Sequence, residues 1–178
     1  MEKGTHTEAV TLDQLLESRE DRARRQQALL EAHPGQTLLC LTVQLPGSVK
    51  RNALSLAIAR AGVEALEAAF AHAAVQERDL VTGFEAYCLV PLLPLEAKRL
   101  CCNIEDRHPL GRLMDVDVLE MAGRDTAVPV PVSRGRIGLP PRQCLLCGRP
   151  ARECIRQRSH SPEQLLAKIE QMVKDYNV

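Results

Sequence analysis

The stretch His108-Pro-Leu-Gly-Arg-Leu-Met-Asp-Val-Asp-Val-Leu-Glu120 alternates between apolar and acidic residues over its second half. This alternation predicts a β-strand that presents its methionine and valines on one face and Asp115 and Asp117 on the other. At a rise of about 3.3 Å per residue, two residues on one strand face lie roughly 6.5–7 Å apart. The two carboxylates can therefore converge on Mg²⁺, which proteins usually hold with one or two carboxylates and the phosphates of a substrate.

Two residues in front of the predicted strand suit a phosphate. Gly111 lets the backbone approach a ligand closely, and the Arg112 guanidinium matches the geometry of phosphate oxygens. The stretch therefore predicts a metal-and-phosphate site on a rigid strand. The same pattern is also typical of an edge strand with a solvated face, and an isolated D-x-D does not decide between the two interpretations.

A third metal ligand or a base is expected close to the aspartates, and the sequence offers several candidates. Glu105, Asp106 and His108 all precede the predicted strand by a few positions. Glu120 is the weakest candidate, because its odd spacing from Asp117 places it on the opposite strand face.

Composition restricts the class of protein. The 178 residues suit one domain with a real core, and 23 basic residues balance 23 acidic ones, so general nucleic-acid binding is not expected. Aromatic residues make up only 2%, which argues against stacking on single-stranded nucleic acid. No apolar run is long enough for a membrane span, and the polar start does not fit a signal peptide. We therefore expect a cytoplasmic protein whose cysteines are thiols or metal ligands.

Hydrophobic periodicity predicts both helices and strands. A nearly continuous apolar and β-branched run at 37–45 predicts a buried central strand, and 85–93 predicts a second strand. Apolar residues at helical spacing predict a long core helix over 53–75. Residues 96–104 give a mixed signal, which we interpret as a helix turning into a strand that buries two adjacent cysteines.

The ends of the chain complete the predicted fold. Residues 1–10 are expected to be flexible, and residues 128–132 to be extended, because proline fixes φ and restricts the residue before it. Ser161, with Pro162 and Gln164 behind it, predicts the start of an amphipathic terminal helix. We expect a single α/β (α+β) domain at 11–178, with a mixed sheet flanked by helices.

The first predicted helix has a capping box at Thr11-Leu-Asp-Gln14 and ends near His33, before Pro34-Gly35. An apolar stripe is expected to face the core, opposite a strongly charged back. The arginines at 19–25 are then interpreted as a solvated face, or as a surface that meets an acidic partner. The stripe consists of Leu12, Leu15, Leu16, Ala23, Leu29 and Leu30.

Lys50 and Arg51 lie in the loop that follows the predicted central strand. Ligands of α/β sheets gather at strand ends and their loops, so both side chains are candidates for binding a phosphate. An ordinary exposed loop is the alternative interpretation.

The subregion 134–160 is rich in arginine and cysteine. Seven arginines lie between positions 134 and 158 against one acid, and such a patch attracts phosphates or an acidic partner. Arg134 and Arg136 are the nearest of these arginines in sequence to the predicted metal site. The spacing of Cys144, Cys147, Cys154 and His160 suits a structural Zn²⁺ site, and reduced thiols without a metal are the alternative.

Three motifs in order resemble one family, the apo-citrate lyase phosphoribosyl-dephospho-CoA transferases. They are the quoted stretch at 108–118, then Gly138-Leu-Pro-Pro-Arg-Gln-Cys-Leu-Leu-Cys147, then Arg156-Gln-Arg-Ser-His-Ser161 with the helix behind it. The resemblance extends over residues 9 to 175, and the three motifs together are far more specific than the D-x-D alone.

The resemblance implies that the protein transfers phosphoribosyl-dephospho-CoA from triphosphoribosyl-dephospho-CoA to a serine of the acyl-carrier subunit of citrate lyase, with release of pyrophosphate. Asp115 and Asp117 would hold Mg²⁺. Arg112 would be the main phosphate contact, followed by Lys50, Arg134 and Arg136. The arginine-rich region would meet either the substrate phosphates or the carrier subunit.

Two other functions fit part of the pattern. A non-enzymatic adaptor with a zinc knuckle would bind an acidic partner through the arginine-rich third of the chain. A nucleotidyltransferase would use an ordinary nucleoside triphosphate, and a nucleotidyltransferase-like core is an attractive analogy for a D-x-D on a strand after a glycine turn.

Overall fold

The computed structural model describes residues 8–71, 73–122 and 128–176. Within these ranges the chain forms one five-stranded sheet and five α-helices. The helices are α1 (Leu12–Ala32), α2 (Ala53–Ala69), α3 (Pro94–Arg107), α4 (Ala151–Gln157) and α5 (Pro162–Tyr176). The strands are β1 (Thr37–Val43), β2 (Val75–Leu80), β3 (Gly83–Val90), β4 (Met114–Ala122) and β5 (Val128–Pro131).

The strand order is β2-β3-β1-β4-β5, so the predicted central strand is indeed the middle strand of the sheet. Every strand pair in the described ranges is antiparallel, which corrects the mixed pairing that we expected within the α/β fold. A two-residue turn at Val81 and Thr82 joins β2 to β3, and such a short turn can only join antiparallel strands. The single α/β domain itself is confirmed.

The two faces of the sheet differ in chemistry. Leu39 and Leu41 of β1 point into the main core, together with Met114, Val116 and Val118 of β4. Residues of α2, α3 and α5 complete this core, and burial of such side chains supplies most of the stabilisation. The opposite face has a smaller apolar cluster and is covered by α1. This smaller cluster consists of Leu30, Leu38, Cys40, Tyr87 and Leu119.

Helix α1 begins at the predicted capping box and ends one residue before His33. The predicted apolar stripe is wrong in part, because Leu12 is 70% exposed and Leu16 is 47% exposed. The side chains of Ser18, Arg22 and Arg25 face the sheet instead. The reason is that this sheet face carries polar groups, so ion pairs and hydrogen bonds stabilise the contact there.

Two other predicted elements need correction. The long helix ends at Ala69, and residues 75–80 of the chain form the edge strand β2, which sequence periodicity missed because it is largely polar. The mixed segment at 96–104 lies entirely within a helix, α3. Cys101 and Cys102 are buried there, as expected of small apolar side chains.

The two ends of the chain differ in how far they are described. Residues 1–7 of the predicted flexible start lie outside the described ranges, whereas Val10 is buried and its NH donates to the carbonyl of Ser48. Helix α5 begins at the predicted cap, where Ser161 and Gln164 exchange hydrogen bonds. None of the helices in the described ranges combines the length and the apolar character that a membrane crossing needs.

The packing around Gly111 leaves no room for a side chain. A Cβ at this position would lie 2.3 Å from the carbonyl oxygen of Ile104 and 2.7 Å from that of Glu105. Because both neighbours are backbone atoms, Gly111→Ala is expected to lower the free energy of unfolding by about 1–3 kcal/mol in urea titrations. Gly148→Ala is the matched control, since a Cβ there meets nothing within 4 Å. Equal stability of the two variants would contradict this account of Gly111.

Candidate active site

Asp115 and Asp117 lie on the α1 side of the sheet, on the same strand face. In the register of β1 and β4, Asp115 is opposite Thr42 and Asp117 is opposite Cys40. Asp115 is half-buried and Asp117 is exposed, so solvent and a ligand can reach both carboxylates. The D-x-D strand therefore combines a rigid backbone with two accessible acids.

The two carboxylates have different surroundings. Asp115 accepts a hydrogen bond from Gln44 Nε2 at 3.0 Å on one oxygen and from Arg142 Nη1 at 3.2 Å on the other. No described residue donates a hydrogen bond to the carboxylate of Asp117, although the positive charge of Arg22 acts on it. One acid is thus held in place, and the other is free to bind a ligand.

The pKa of Asp117 is raised above its ordinary value of 3.8. Desolvation of the carboxyl by the groups around it is the main cause, and the neighbouring Asp115 carboxylate adds to it. Arg22 and Lys98 act in the opposite direction. Two like charges on one face repel each other, and a bound cation would remove that repulsion.

Glu85 is a buried acid on the same sheet face, two strands away from the aspartates. It lies opposite Thr42, and its carboxylate accepts a hydrogen bond from the Tyr87 hydroxyl at 2.6 Å. Arg22 and Arg78 lie 3.6 and 3.3 Å from its oxygens. Sequence reasoning missed this network, although an acid in an otherwise apolar strand is a signal of buried pairing. Its consequence is that Arg22 is held beside Asp117.

The outer edge of β4 is hydrogen-bonded by side chains where no strand covers it. Glu105 accepts from the NH of Val116 at 2.9 Å, and Lys98 donates to the carbonyl of the same residue at 3.2 Å. Arg142 donates to the carbonyl of Met114 at 2.7 Å. Further along, the NH of Val132 donates to the carbonyl of Val118. These contacts satisfy the free backbone groups of the strand that carries both aspartates.

Most candidates for a third ligand are engaged elsewhere. Arg134 lies 3.0 Å from Glu105 and 2.6 Å from Asp106, and Arg136 pairs with Glu120. Glu105 and Glu120 do not join the two aspartates, and Arg134 and Arg136 are paired with acids rather than free for phosphate.

His108 is also used locally. Its Nδ1 accepts from the NH of Leu110 at 3.1 Å, and its ring lies against that of Tyr176. Burial lowers the pKa of His108, so the neutral imidazole that accepts this hydrogen bond is favoured. The side chain therefore stabilises the turn after α3 instead of meeting the aspartates.

The remaining predicted phosphate contacts lie at the ends of the strands. Lys50 donates to the carbonyl of Leu45 at 2.7 Å and lies beside Gly83, at the end of the sheet where Asp115 is located. Burial, assisted by the charge of Arg19, lowers the pKa of Lys50. Arg51 forms a bidentate ion pair with Asp79. Arg112 donates to the carbonyl of Gln143.

The predicted cysteine and histidine cluster is assembled in space. One ligand atom from each of Cys144, Cys147, Cys154 and His160 lies within 4.8 Å of the others. Cys147 Sγ lies 3.5 Å from Cys154 Sγ and 3.4 Å from His160 Nε2. A backbone hydrogen bond from Arg149, together with the His160 ring, lowers the pKa of the Cys147 thiol to about 6. This arrangement can hold a metal ion.

Comparisons with known proteins point to one family. The model of the family described as apo-citrate lyase phosphoribosyl-dephospho-CoA transferase matches residues 10–176. A Vibrio cholerae protein named probable apo-citrate lyase phosphoribosyl-dephospho-CoA transferase is 41% identical over 175 residues, which cover 95% of this chain and 94% of the relative.

Two further relatives agree with this match. A Streptococcus pyogenes protein of the same name is 36% identical over 95% of this chain and 88% of its own length. Protein CitXG of Haemophilus influenzae is 36% identical over 97% of this chain, which spans 37% of that longer protein. The chain belongs to the apo-citrate lyase phosphoribosyl-dephospho-CoA transferase family.

Proposed function

We propose that this protein transfers phosphoribosyl-dephospho-CoA from triphosphoribosyl-dephospho-CoA to a serine of the acyl-carrier subunit of citrate lyase, releasing pyrophosphate. The names of the family and of its relatives support the transferred group and the acceptor. The structural observation that carries the proposal is the pair of accessible carboxylates on one face of β4, at Asp115 and Asp117. The attacking hydroxyl belongs to the carrier, so the chain needs no nucleophile of its own.

The donor set at this face fits Mg²⁺. Asp115 and Asp117 offer carboxylate oxygens, which this hard cation prefers. Desolvation is the main cause of the raised pKa of Asp117, and a cation would relieve the repulsion by Asp115 that adds to it. When bound, Mg²⁺ supplies charge neutralisation for the triphosphate and for the departing pyrophosphate. Gln44 and Arg142 orient the Asp115 carboxylate through its two oxygens, which keeps it directed at the same point.

Two basic side chains on this side of the sheet support a choice of phosphate contacts. Arg22 is positioned by Glu85 beside Asp117, and Lys50 lies at the same end of the sheet. We therefore assign the phosphates to Arg22 and Lys50, with Arg112 as a further contact. Arg134 and Arg136 would have to leave their acidic partners to take part.

The metal in the cysteine and histidine cluster is proposed to be Zn²⁺. Three thiols and one imidazole form a tetrahedral donor set of the kind that structural zinc sites use. We also propose that the protein acts in the cytoplasm, where thiols stay reduced and a CoA-derived substrate is expected.

The carrier subunit is proposed to dock on α4. Ile155 is 75% exposed on this helix, and the exposed Arg152 and Arg156 lie on the same helix face, three residues before it and one after it. No described acid forms a salt bridge with either arginine. An exposed apolar side chain beside two positive charges suits an acidic protein surface. In this proposal Arg152 and Arg156 meet the carrier, whereas Arg134 and Arg136 stabilise the fold.

Asp115→Asn and Asp117→Asn are each expected to slow pyrophosphate release by roughly 10³-fold or more, because the metal-held charge stabilisation is worth several kcal/mol. The assay contains Mg²⁺, triphosphoribosyl-dephospho-CoA and apo-carrier subunit. Glu77→Gln on β2, an exposed acid with no described partner, is the matched control and should retain activity. Full activity in both aspartate variants would contradict the metal role of the two acids. Carrier binding that is unchanged in both variants, with no transfer by the natural protein, would favour the zinc-knuckle adaptor, and turnover of ATP in place of the CoA-derived donor would favour the ordinary nucleotidyltransferase.

The raised pKa of Asp117 predicts how stability depends on pH. In metal-free buffer the ionised carboxylate costs stability above its ordinary pKa of 3.8, and this cost vanishes below that value because both states are then protonated. The melting temperature of Asp117→Asn is therefore expected to exceed that of the natural protein at neutral pH and to equal it near pH 3. Added Mg²⁺ should raise the melting temperature of the natural protein and leave that of the variant unchanged. A difference in melting temperature between the two proteins that is constant with pH would exclude this interpretation of Asp117.

Charge reversal tests the docking surface. Arg152→Glu with Arg156→Glu is expected to raise the KM for the carrier subunit roughly tenfold or more and to leave the KM for the CoA-derived donor unchanged. Arg60→Glu with Arg99→Glu, two exposed arginines on α2 and α3, is the control for the same change in net charge. Equal effects of the two changes on the KM for the carrier would show that docking occurs elsewhere.

A further inference from the structure

Arg142 makes most of the contacts between the loop of the cysteine and histidine cluster and the strand of the aspartates. Its Nη2 donates to the carbonyls of Met114, Arg112 and Gly111 at 2.7, 3.2 and 3.4 Å. Its Nη1 lies 3.2 Å from Asp115 Oδ1. One guanidinium therefore binds both the backbone before the D-x-D and the first aspartate itself.

The backbone of Arg142 is held by the loop that carries the cluster. Its carbonyl accepts from the NH of Ala151 at 2.8 Å, and Gln143 forms an isolated bridge with Pro150. The NH of Cys144 donates to the carbonyl of Arg149 at 2.7 Å. Residues 142–151 therefore form a short hairpin that begins at the arginine and encloses two of the four ligands.

The hairpin has a second contact with the same strand entry. Arg112, whose own carbonyl accepts from Arg142, donates to the carbonyl of Gln143. Leu145 packs against the main core. An isolated two-stranded hairpin is marginally stable in water, so these few contacts alone do not fix its position.

We propose that Zn²⁺ bound by Cys144, Cys147, Cys154 and His160 positions Arg142, and that the cluster thereby orders the entry to β4 and the Asp115 carboxylate. The metal would join the hairpin to Cys154 on α4 and to His160 before α5, so it would fix the hairpin at two further points of the chain. Metal binding adds directly to the stability of such a segment, because the ligand set exists only in the folded state. Arg142 is thus a positioning residue, which acts through Asp115. This inference rests on the zinc proposal and not on the transfer reaction.

The first measurement is the zinc content of the full chain, purified without chelators. We expect one zinc per chain in the natural protein and in Cys102→Ala, and much less in Cys147→Ser. Cys102 is buried in α3 and lies outside the cluster, so it controls for the loss of one thiol. Absence of zinc from the natural protein, even after zinc is supplied, would overturn the proposal.

The second measurement is hydrogen exchange of the backbone at 110–118, followed by mass spectrometry. Removal of zinc by a chelator, Cys147→Ser and Arg142→Ala are each expected to speed exchange there roughly tenfold. If zinc acts through Arg142, the variant that combines Cys147→Ser with Arg142→Ala should exchange no faster at 110–118 than Arg142→Ala alone. Arg152→Ala, on the exposed face of α4, should change neither zinc content nor exchange, and zinc added back after chelation should restore protection.

Two results of the exchange experiment would overturn the proposal: unchanged exchange at 110–118 in the zinc-free chain, or additive effects of Cys147→Ser and Arg142→Ala. Additive effects would mean that the metal stabilises only its own segment. Both readouts are independent of catalysis, so they decide the role of the metal even if the chain fails to load a carrier subunit.

Discussion

The free edge of β4 is closed by charged side chains, and the geometry of the site depends on this. A strand edge presents unpaired NH and carbonyl groups, and burying them without partners is costly. Glu105 and Lys98 serve the two backbone groups of Val116, and Arg142 serves the carbonyl of Met114. The backbone groups of Met114 and Val116 are thus bonded on the outer edge of β4. Asp115 and Asp117 pair with β1, which fixes the sheet face on which their side chains lie.

These edge contacts form one connected set of charges. The Glu105 carboxylate is almost fully buried and is stabilised by Arg134, which also holds Asp106. A buried acid that loses its counter-charge is strongly destabilising, so each member of the set constrains the others. Arg134 and Arg142 therefore maintain the strand, whereas no described acid forms a salt bridge with Arg152 or Arg156 on α4.

Elements whose apolar residues recur at regular spacing could be predicted from the sequence. The central strand and the strand with the aspartates were predicted from this periodicity. The two capping boxes and the cysteine and histidine cluster at 144–160 were predicted from the spacing of short motifs. Periodicity failed where polar side chains are buried, as on the sheet-facing side of α1 and in β2. It also cannot show that Arg134 meets acids 28 and 29 residues earlier, because charge pairing across the chain leaves no local pattern.

We propose that the two aspartates of β4 serve metal-dependent transfer to a carrier protein. The most direct test is the mass of the apo-carrier subunit after incubation with this protein and triphosphoribosyl-dephospho-CoA, with Mg²⁺ or with a chelator of Mg²⁺. The account predicts a gain of one phosphoribosyl-dephospho-CoA group per carrier with Mg²⁺ and none with the chelator. An unchanged mass with a carrier known to be competent, or an equal gain under both conditions, would contradict it.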